Sequence, residues 1–341
     1  MTSSAALSRA FGGRKTFAAF SRASLDGLVN NAARSHMHLS LAFSYESVFA
    51  ALVGGLGIGI FATIYAHTNR SAMPSSTPHA HVQPAMLVTS AIASALLASQ
   101  FFEAEFLEAA SLPRLAASGG LVGLGAKLGM GCTCGNGIQG LASLSPASLA
   151  FTLVFMAAGA AAAALGDQSA SLRPTPTAFS PALAAAAAAL AAGQLALGRR
   201  GGASAVAAAN ALCGAGFAVS LVQASMVKPS KIDGFLNFAG SRGWDPSLAF
   251  VMGGALVVAV PLWRALRIAE ASPALREWAA RPVSPALLTG GVCFGVGWGL
   301  GGLCPGPAWV SAGTGSLAGV VWLGSMVAGR QLAPMVSAAF G

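Results

Sequence analysis

Nine apolar runs dominate this sequence, and most are close to 20 residues long. They lie near residues 46–66, 84–102, 115–131, 148–166, 181–198, 203–225, 247–263, 286–303 and 316–337. A helix of roughly 20 apolar residues spans the hydrocarbon core of a bilayer. Only 9% of the residues are charged, whereas soluble domains carry about 25%. The sequence therefore predicts an all-α, polytopic membrane protein with about nine transmembrane or partly spanning helices.

The first 40 residues differ in composition from the rest of the chain. Five basic residues alternate there with Ser and Ala, and Asp26 is the one acidic residue. This composition is typical of an organellar transit peptide, although a basic cytoplasmic tail would have the same pattern. A transit peptide would direct the chain to a mitochondrial or plastid inner membrane; a tail would leave it in the plasma or cell inner membrane. We divide the chain into an N-terminal extension (1–40), a first membrane half (41–198) and a second (203–341).

The net charge of +9 comes from basic residues scattered over loops and tails. They are not interleaved with aromatic residues in a patch, as they are on surfaces that bind single-stranded nucleic acid. The sequence therefore predicts the lipid bilayer, and no nucleic acid, as a partner.

An internal repeat relates the two halves. A shift of 172 positions places Cys132 on Cys304 and, within the same fourteen positions, superposes four pairs of glycines. Downstream, Ser148-Leu-Ala and Ser316-Leu-Ala each precede an apolar run, in a register that differs by four residues. Such repeats are typical of transporters, whose broken helices meet at the substrate site. A duplicated scaffold without transport is the alternative.

Both repeated cysteines lie where a helix is predicted to break. Cys132-Thr-Cys134-Gly-Asn-Gly137 combines weak helix formers. In the second copy, Pro305 follows Cys304, and proline is tolerated at a helix start but not in its interior. We therefore expect Cys304 just before a helix N-terminus, where unpaired N–H groups and the helix dipole favour anions. A thiol lining favours an anion whose own sulfur can accept a weak S–H hydrogen bond.

Other readings of the five cysteines remain open at this point. Cys-x-Cys with further cysteines could hold a soft metal ion, but no histidine lies in these segments and the spacing is not that of a CxxC pair. The odd number of cysteines argues against a disulfide framework. Cys293 reads as a small core residue, and Cys213 as either core or site. Lys127, a charge within an apolar stretch, either attracts the anion or extends to an interface.

On these residues the chain resembles the YeeE/YedE sulfur transport family, whose members are associated with uptake of thiosulfate and related sulfur species. The resemblance is carried by Lys127-Leu-Gly-Met-Gly-Cys-Thr-Cys-Gly-Asn-Gly-Ile-Gln-Gly140, by Gly295-Val-Gly-Trp-Gly-Leu-Gly-Gly-Leu-Cys-Pro-Gly-Pro307, and by the segments 228–240 and 244–253. It covers about residues 45–340 and looks like two usually separate half-transporters in one chain. Cys134 and Asn136 depart from the family pattern, which often has Ser and His there.

The resemblance implies a pseudo-symmetric transporter in which cysteines near the centre pass the sulfur anion along by S–H hydrogen bonds. The predicted substrate path comprises Cys132, Cys304, Cys213, Cys134, Lys127, Gly131 and Pro305. We expect transport of thiosulfate or a related anion, no catalytic residue, no metal and no cofactor, with a sulfur-carrier protein as a partner on the receiving side. The alternatives are a membrane thiol-redox or persulfide-carrying enzyme, in which Cys132 and Cys134 would react, and an accessory membrane subunit.

Overall fold

The computed structural model describes residues 45–74, 76, 81–97, 111–165, 178–238 and 244–338. The N-terminal extension predicted over residues 1–40 lies outside these ranges. The described residues form α-helices and one π-helix, without a strand. The α-helices are α1 (Tyr45–Asn69), α2 (Val82–Leu97), α3 (Leu112–Leu128), α4 (Pro146–Leu165), α5 (Pro181–Arg200), α6 (Ala203–Gln223), α7 (Pro229–Leu236), α8 (Ser247–Ala265), α9 (Ile268–Ala271), α10 (Pro273–Ala280), α11 (Pro285–Gly301), α12 (Pro305–Gly313) and α13 (Leu317–Ser337); the π-helix is Thr133–Gly140 and lies between α3 and α4.

Each of the nine predicted apolar runs overlaps one of the long helices, which confirms the all-α polytopic class. Within the described residues, six segments are long and apolar enough to cross a membrane; α11 and α12 count together as one of them. Helix α3 and the π-helix, bent by 42°, form a seventh if they are one span. The predicted count of nine spans is therefore not confirmed.

Helices α3 and α11, which the repeat equates, pack against each other in opposite directions. A Cβ atom on Gly125 would lie 2.5 Å from the carbonyl oxygen of Gly290, and one on Gly297 would lie 2.7 Å from that of Ser118. The repeat equates Ser118 with Gly290 and Gly125 with Gly297, because the members of each pair are 172 positions apart. The two contacts are therefore equivalent. Equivalent helices that cross antiparallel are typical of repeats with inverted topology. The second half therefore repeats the first with inverted topology.

Residues in the left-handed region mark equivalent breaks between helices in the two halves. Met130 (φ 53°) follows α3 as Gly302 (φ 61°) follows α11, and Leu144 (φ 58°) precedes α4 as Gly315 (φ 86°) precedes α13. Glycine adopts this conformation without strain, whereas methionine and leucine do so at a cost of about 1 kcal/mol each. The first half therefore has the same backbone geometry as the second, with residues that adopt the left-handed conformation less readily than glycine.

The register of the repeat after the break differs from the predicted one. The Ser145 hydroxyl accepts a hydrogen bond from the Ser148 N–H (3.3 Å), and the Ser316 hydroxyl accepts one from the Gly319 N–H (3.4 Å). Both serines cap the start of a helix, so the counterpart of Ser316 is Ser145. The halves are thus offset here by one residue, not four. Matching the letters Ser-Leu-Ala was wrong because it paired a capping serine with one inside the helix.

Glycines bring the neighbouring helices into backbone contact. On α3, a Cβ atom on Gly123 would lie 2.0 Å from the carbonyl oxygen of Met326 in α13. On α11, a Cβ atom on Gly295 would lie 2.3 Å from the carbonyl oxygen of Phe155 in α4. Small residues allow such approach in membrane helices, where hydrophobicity does not drive association. The repeated glycines of the sequence are therefore the contact surface of the four helices that surround the breaks.

Two polar connectors of the sequence contain structure that the apolar pattern did not predict. The connector after α6 contains α7, in which Lys231 is buried and donates to Asp245 at 2.9 Å. The charged loop after α8 contains α9 and α10. Helix α5 lies outside the repeat and packs on α1 and α6.

Gly329 offers a test of the backbone contacts. A Cβ atom on Gly329 of α13 would lie 2.0 Å from the Gly120 carbonyl oxygen, whereas one on Gly324 of the same helix would meet no atom within 4 Å. We expect Gly329→Ala to destabilise the protein by about 1–3 kcal/mol, because the helices must separate. Gly324→Ala should be neutral or slightly stabilising, since alanine favours helices over glycine. Thermal unfolding in detergent measures both, and equal melting temperatures would contradict this packing.

Candidate functional site

Two short helices begin at the two breaks with the same geometry. Cys132 (φ −101°, ψ −163°) precedes the π-helix and Cys304 (φ −100°, ψ 159°) precedes α12, as the proline after Cys304 predicts. The first break itself lies earlier than predicted: the helix is interrupted over 129–132, and Cys134 is already helical. The prediction placed it at Cys132–Gly137 because glycine and asparagine are weak α-helix formers, and here they occur in a π-helix. Such helices are frequent at functional sites.

The N-terminal ends of these two helices are in contact. The Thr133 hydroxyl, in the first residue of the π-helix, donates to the Cys304 Sγ at 3.7 Å. Because Cys132 and Cys304 are equivalent, this contact places both breaks near the pseudo-two-fold axis. Helix N-termini carry partial positive charge and N–H groups without intrahelical partners. Two of them at one point favour an anion more than either alone.

A cavity of about 380 Å³ adjoins this contact. Most of its lining is apolar, and no lining side chain is charged. Thr133, Cys134, Thr152, Trp298 and Cys304 contribute the hydroxyl, thiol and indole groups. The remaining lining residues are Ile58, Ile138, Phe155, Met156, Leu221, Met226, Ile232, Phe235, Leu248, Ala249, Val251, Met252, Gly253, Leu256 and Pro307.

Two of the polar groups in the cavity are buried without a hydrogen-bonding partner in the protein. They are the Trp298 indole nitrogen and the Thr152 hydroxyl. Trp298 is 1% exposed, and its ring packs edge-on against Phe155 at 5.4 Å. An unpaired buried N–H or O–H costs several kcal/mol in an apolar setting. Both groups are therefore available to a ligand that accepts hydrogen bonds.

The cavity includes only part of the predicted substrate path. Cys134 and Cys304 line it, with Pro305 buried beside Cys304. Cys132 is buried but is not among the lining residues. Gly131, in the break before Cys132, lies against the Asn136 amide.

The other three residues that the sequence singled out lie away from the cavity. Cys213 is fully buried in α6, and its thiol donates to the Phe61 carbonyl oxygen at 3.6 Å. Lys127 is exposed on α3, and Cys293 is half-buried on α11. No disulfide joins the five cysteines, all of which lie in described segments. In the described part of the chain, no group of three His, Cys, Asp or Glu could hold a metal ion.

Sequence reasoning missed Trp298 and Thr152. Trp298 lies between Gly297 and Gly299, and a large aromatic residue between glycines in a predicted membrane helix is the signal that could have identified it. No comparable signal marks Thr152, because its role depends on the cavity that only the packing of α4, α7 and α8 creates.

A polar cluster around Asn136 holds the π-helix in place. The fully buried Asn136 amide donates to the Gly129 carbonyl oxygen (3.2 Å), and its oxygen accepts from the Ser148 hydroxyl (2.9 Å) and from the Arg281 guanidinium. Arg281 follows α10 and stacks on Trp278, whose indole donates to the Met130 carbonyl oxygen at 3.1 Å. Burial lowers the pKa of Arg281 to about 10. Through Trp278 and Arg281, the charged loop after α8 thus stabilises the first break.

Comparison with known protein families gives one match in each half of the chain. Residues 33–162 match the sulphur transport family. Residues 205–339 match a family of unknown function, DUF6691. The two matches leave α5 between them.

The relatives found among curated proteins are named probable transporters. Two probable transporters of Xylella fastidiosa, from strains Temecula1 and 9a5c, are each 40% identical to this chain over 126 residues. The alignments cover 36% of this chain but 81% and 82% of the relatives, which are therefore less than half as long. Two further probable transporters of these strains are 47% and 46% identical over 55 residues, which is 41% of each relative. No solved structure matches the chain.

Asn136 provides a test of how the break is held. We expect Asn136→Leu to destabilise the protein by about 2–3 kcal/mol, because it leaves Arg281 and the Gly129 carbonyl without this partner. Ser143→Ala is the control, since that hydroxyl donates only to the Gly140 carbonyl oxygen nearby and its loss should change stability by about 0.5 kcal/mol or less. Chemical denaturation in detergent compares the two variants. Equal losses would show that the cluster does not hold the break.

Proposed function

The chain belongs to the YeeE/YedE sulfur transport family, and from this premise we propose that it moves thiosulfate, a small sulfur-containing anion, through the cavity at its two breaks. It is an integral, multi-pass membrane protein. The single observation that carries the proposal is the meeting of two thiol-bearing helix N-termini beside a cavity with unpaired donors.

The two family matches support a fusion of two half-transporters. Each match covers one half, and the halves are related by an inverted repeat. The probable transporters of X. fastidiosa are each less than half as long as this chain. In this proposal both halves contribute to one path, because each supplies one break and one short helix.

The donors in the cavity suit an anion with diffuse charge. Thiosulfate spreads its charge over sulfur and oxygen atoms, which accept hydrogen bonds from hydroxyl, indole and thiol groups. These donors are neutral, and the helix N-termini contribute only partial charge. A transported ion must bind well enough to enter the site and weakly enough to leave it. Weak neutral donors meet both requirements better than a buried lysine or arginine, which would bind the anion too tightly for it to leave.

The thiols have different positions in this scheme. Cys134 and Cys304 contact the anion in the cavity. Cys132 is buried but does not line the cavity, and in this proposal it takes the anion after Cys304. A sulfur-carrier protein then accepts it on the receiving side.

Uptake by cysteine variants tests the path. We expect Cys304→Ala and Cys134→Ala to lower the uptake of labelled thiosulfate by proteoliposomes at least tenfold, because each removes a donor at the constriction. Cys132→Ala should also lower it. Cys293→Ala is the matched control and should keep wild-type uptake, since Cys293 lies outside the cavity. Wild-type uptake by both Cys134→Ala and Cys304→Ala would refute the assignment.

Competition by sulfide, sulfite, sulfate and selenium analogues measures which anion is preferred.

Trp298 provides a second test. Trp298→Phe keeps the aromatic ring but removes the indole N–H. We expect the KM for thiosulfate to rise about tenfold, which corresponds to the loss of about 1.4 kcal/mol from one hydrogen bond to a charged ligand. Trp322→Phe is the control: the Trp322 indole donates to the Ser118 hydroxyl at 2.9 Å, so this variant should lose stability without a change in KM. An unchanged KM in Trp298→Phe would remove Trp298 from the site.

A further inference from the structure

A groove with a volume of about 150 Å³ lies between α1 and α5. Residues within 53–61 of α1 and within 183–191 of α5 form its walls, and α6 contributes Ser220 and Gln223. Because a helix rises about 12 Å from residue 53 to residue 61, this volume is spread over a long and narrow space. The α5 wall belongs to neither family match, since these end at residue 162 and begin at residue 205.

Alanine side chains on one side of α5 leave the groove open. The α5 residues that line it recur every three or four positions, and all but one are alanines: Leu183, Ala184, Ala187, Ala188 and Ala191. Most lining residues of α1 and α5 are half-buried, and Ala188 is exposed, so the groove opens at the surface of the helix bundle. Helices α1, α5 and α6 are each long and apolar enough to cross a membrane. The groove therefore opens toward lipid.

Gln223 supplies this groove with one hydrogen-bond donor. Its side chain is 3% exposed, and its amide oxygen accepts from the Ser180 N–H at 3.3 Å. That contact orients the amide, because a backbone N–H can only donate. The amide nitrogen is buried and has no acceptor in the segments that the structure describes. Ser220 is the one other polar lining residue, and its hydroxyl already donates to the Gly216 carbonyl oxygen at 2.8 Å.

The unpaired nitrogen and the apolar walls together define the ligand. An amide N–H without an acceptor is costly in an apolar setting, and a ligand that accepts a hydrogen bond removes this cost. Apart from that acceptor, the ligand must be apolar, because the remaining walls offer only hydrocarbon contacts. It must also be narrow and extended to follow the groove. A hydrocarbon chain with one polar acceptor at its end has these properties.

The donor lies near one membrane surface. Gln223 contacts Ser180, the residue before α5, and the 20 residues of α5 match the thickness of a bilayer. At the same end the exposed Glu46 carboxylate accepts from the Phe179 N–H at 3.2 Å. From here the groove follows α5 as far as Ala191, near the middle of the helix. A phospholipid has the same order, because its ester carbonyls lie below the headgroup and its acyl chains extend toward the midplane.

From this arrangement we propose that the groove binds one acyl chain of a phospholipid, whose ester carbonyl accepts a hydrogen bond from the Gln223 Nε2. The chain lies between α1 and α5 and fills the space that the alanines leave. No covalent step occurs. This inference goes beyond the proposed function and is independent of the transported anion. It gives the helix that joins the two halves a lipid ligand of its own.

Two phospholipids that differ only at the proposed acceptor test the hydrogen bond. Dioleoyl phosphatidylcholine has ester carbonyls, whereas its diether analogue has none. We expect delipidated wild-type protein in detergent to retain the ester lipid about tenfold more than the ether lipid when the two compete, because only the ester accepts from Gln223. Native mass spectrometry measures the ratio of the two bound masses. Gln223→Met keeps the length of the side chain without the amide, and it should retain both lipids equally.

A second pair of variants tests where the lipid binds. Ala187→Leu places a larger side chain in the groove, and Ala189→Leu is the matched control, since Ala189 is exposed on the same helix and does not line the groove. We expect Ala187→Leu to lose the bound phospholipid and Ala189→Leu to keep it. Retention by Ala187→Leu would overturn the proposal, because the lipid then binds elsewhere. The comparison of ester and ether lipids needs no variant of α5, so it remains decisive if Ala187→Leu fails to fold.

The same spectra identify any other occupant. Equal retention of the two lipids by wild-type protein would overturn the proposal, as would wild-type protein without bound phospholipid, because the amide then faces only water or detergent. A dimer that Ala187→Leu dissociates would make a second copy of the chain the occupant, and would also overturn it. Thiosulfate uptake is a separate measurement. Loss of the lipid site would leave the proposed function standing, and absence of uptake would leave the lipid site standing.

Discussion

Backbone contact between α3 and α11 determines where both breaks of this protein lie. The two helices cross antiparallel at Gly125 and Gly297, which leave no side chain between the helices. Each helix then ends on its own side of the crossing, at Met130 and Gly302, which adopt the left-handed conformation. A larger residue at the crossing would separate the helices and carry the breaks apart. The contact between Thr133 and Cys304 therefore depends on residues that never approach a ligand.

The two halves share a backbone but differ in the side chains that matter for the site. Cys134 lines the cavity, whereas its counterpart Gly306 packs under Phe217. Trp298 brings an indole to the cavity, and its counterpart Ala126 brings nothing polar. The fold is nearly symmetric because the main-chain contacts are repeated in both halves. The cavity is asymmetric because the side chains at these equivalent positions differ.

The helices, the repeat and the helix start after Cys304 could be predicted from the sequence, since they depend on apolar periodicity and on proline, which act locally. The cavity could not be predicted from it. Trp298 and Thr152 become unpaired only when α4, α7 and α8 pack around them, and Arg281 reaches Asn136 across a long separation in the chain. Lys231 and Asp245 lie between apolar runs of the sequence, where charge predicts exposure, yet they are buried as a pair. Lys127, a charge within an apolar stretch, was predicted either to attract the anion or to extend to an interface, and it lies on the exposed side of α3.

Helix α5 answers a need that the inversion of the second half creates. Helix α6 runs opposite to α1, with Gly54 against Ala224 and Asn69 paired with Asn210, so the second half begins beside the end of α1. Helix α5 lies along α1 in the same direction, with Phe179 against Phe49 and Gly198 against Thr68. It therefore carries the chain from the level at which α1 begins to the level at which α6 begins. A joining helix of this kind takes no part in the contacts that the two halves share, so its sequence can change without altering the symmetric core.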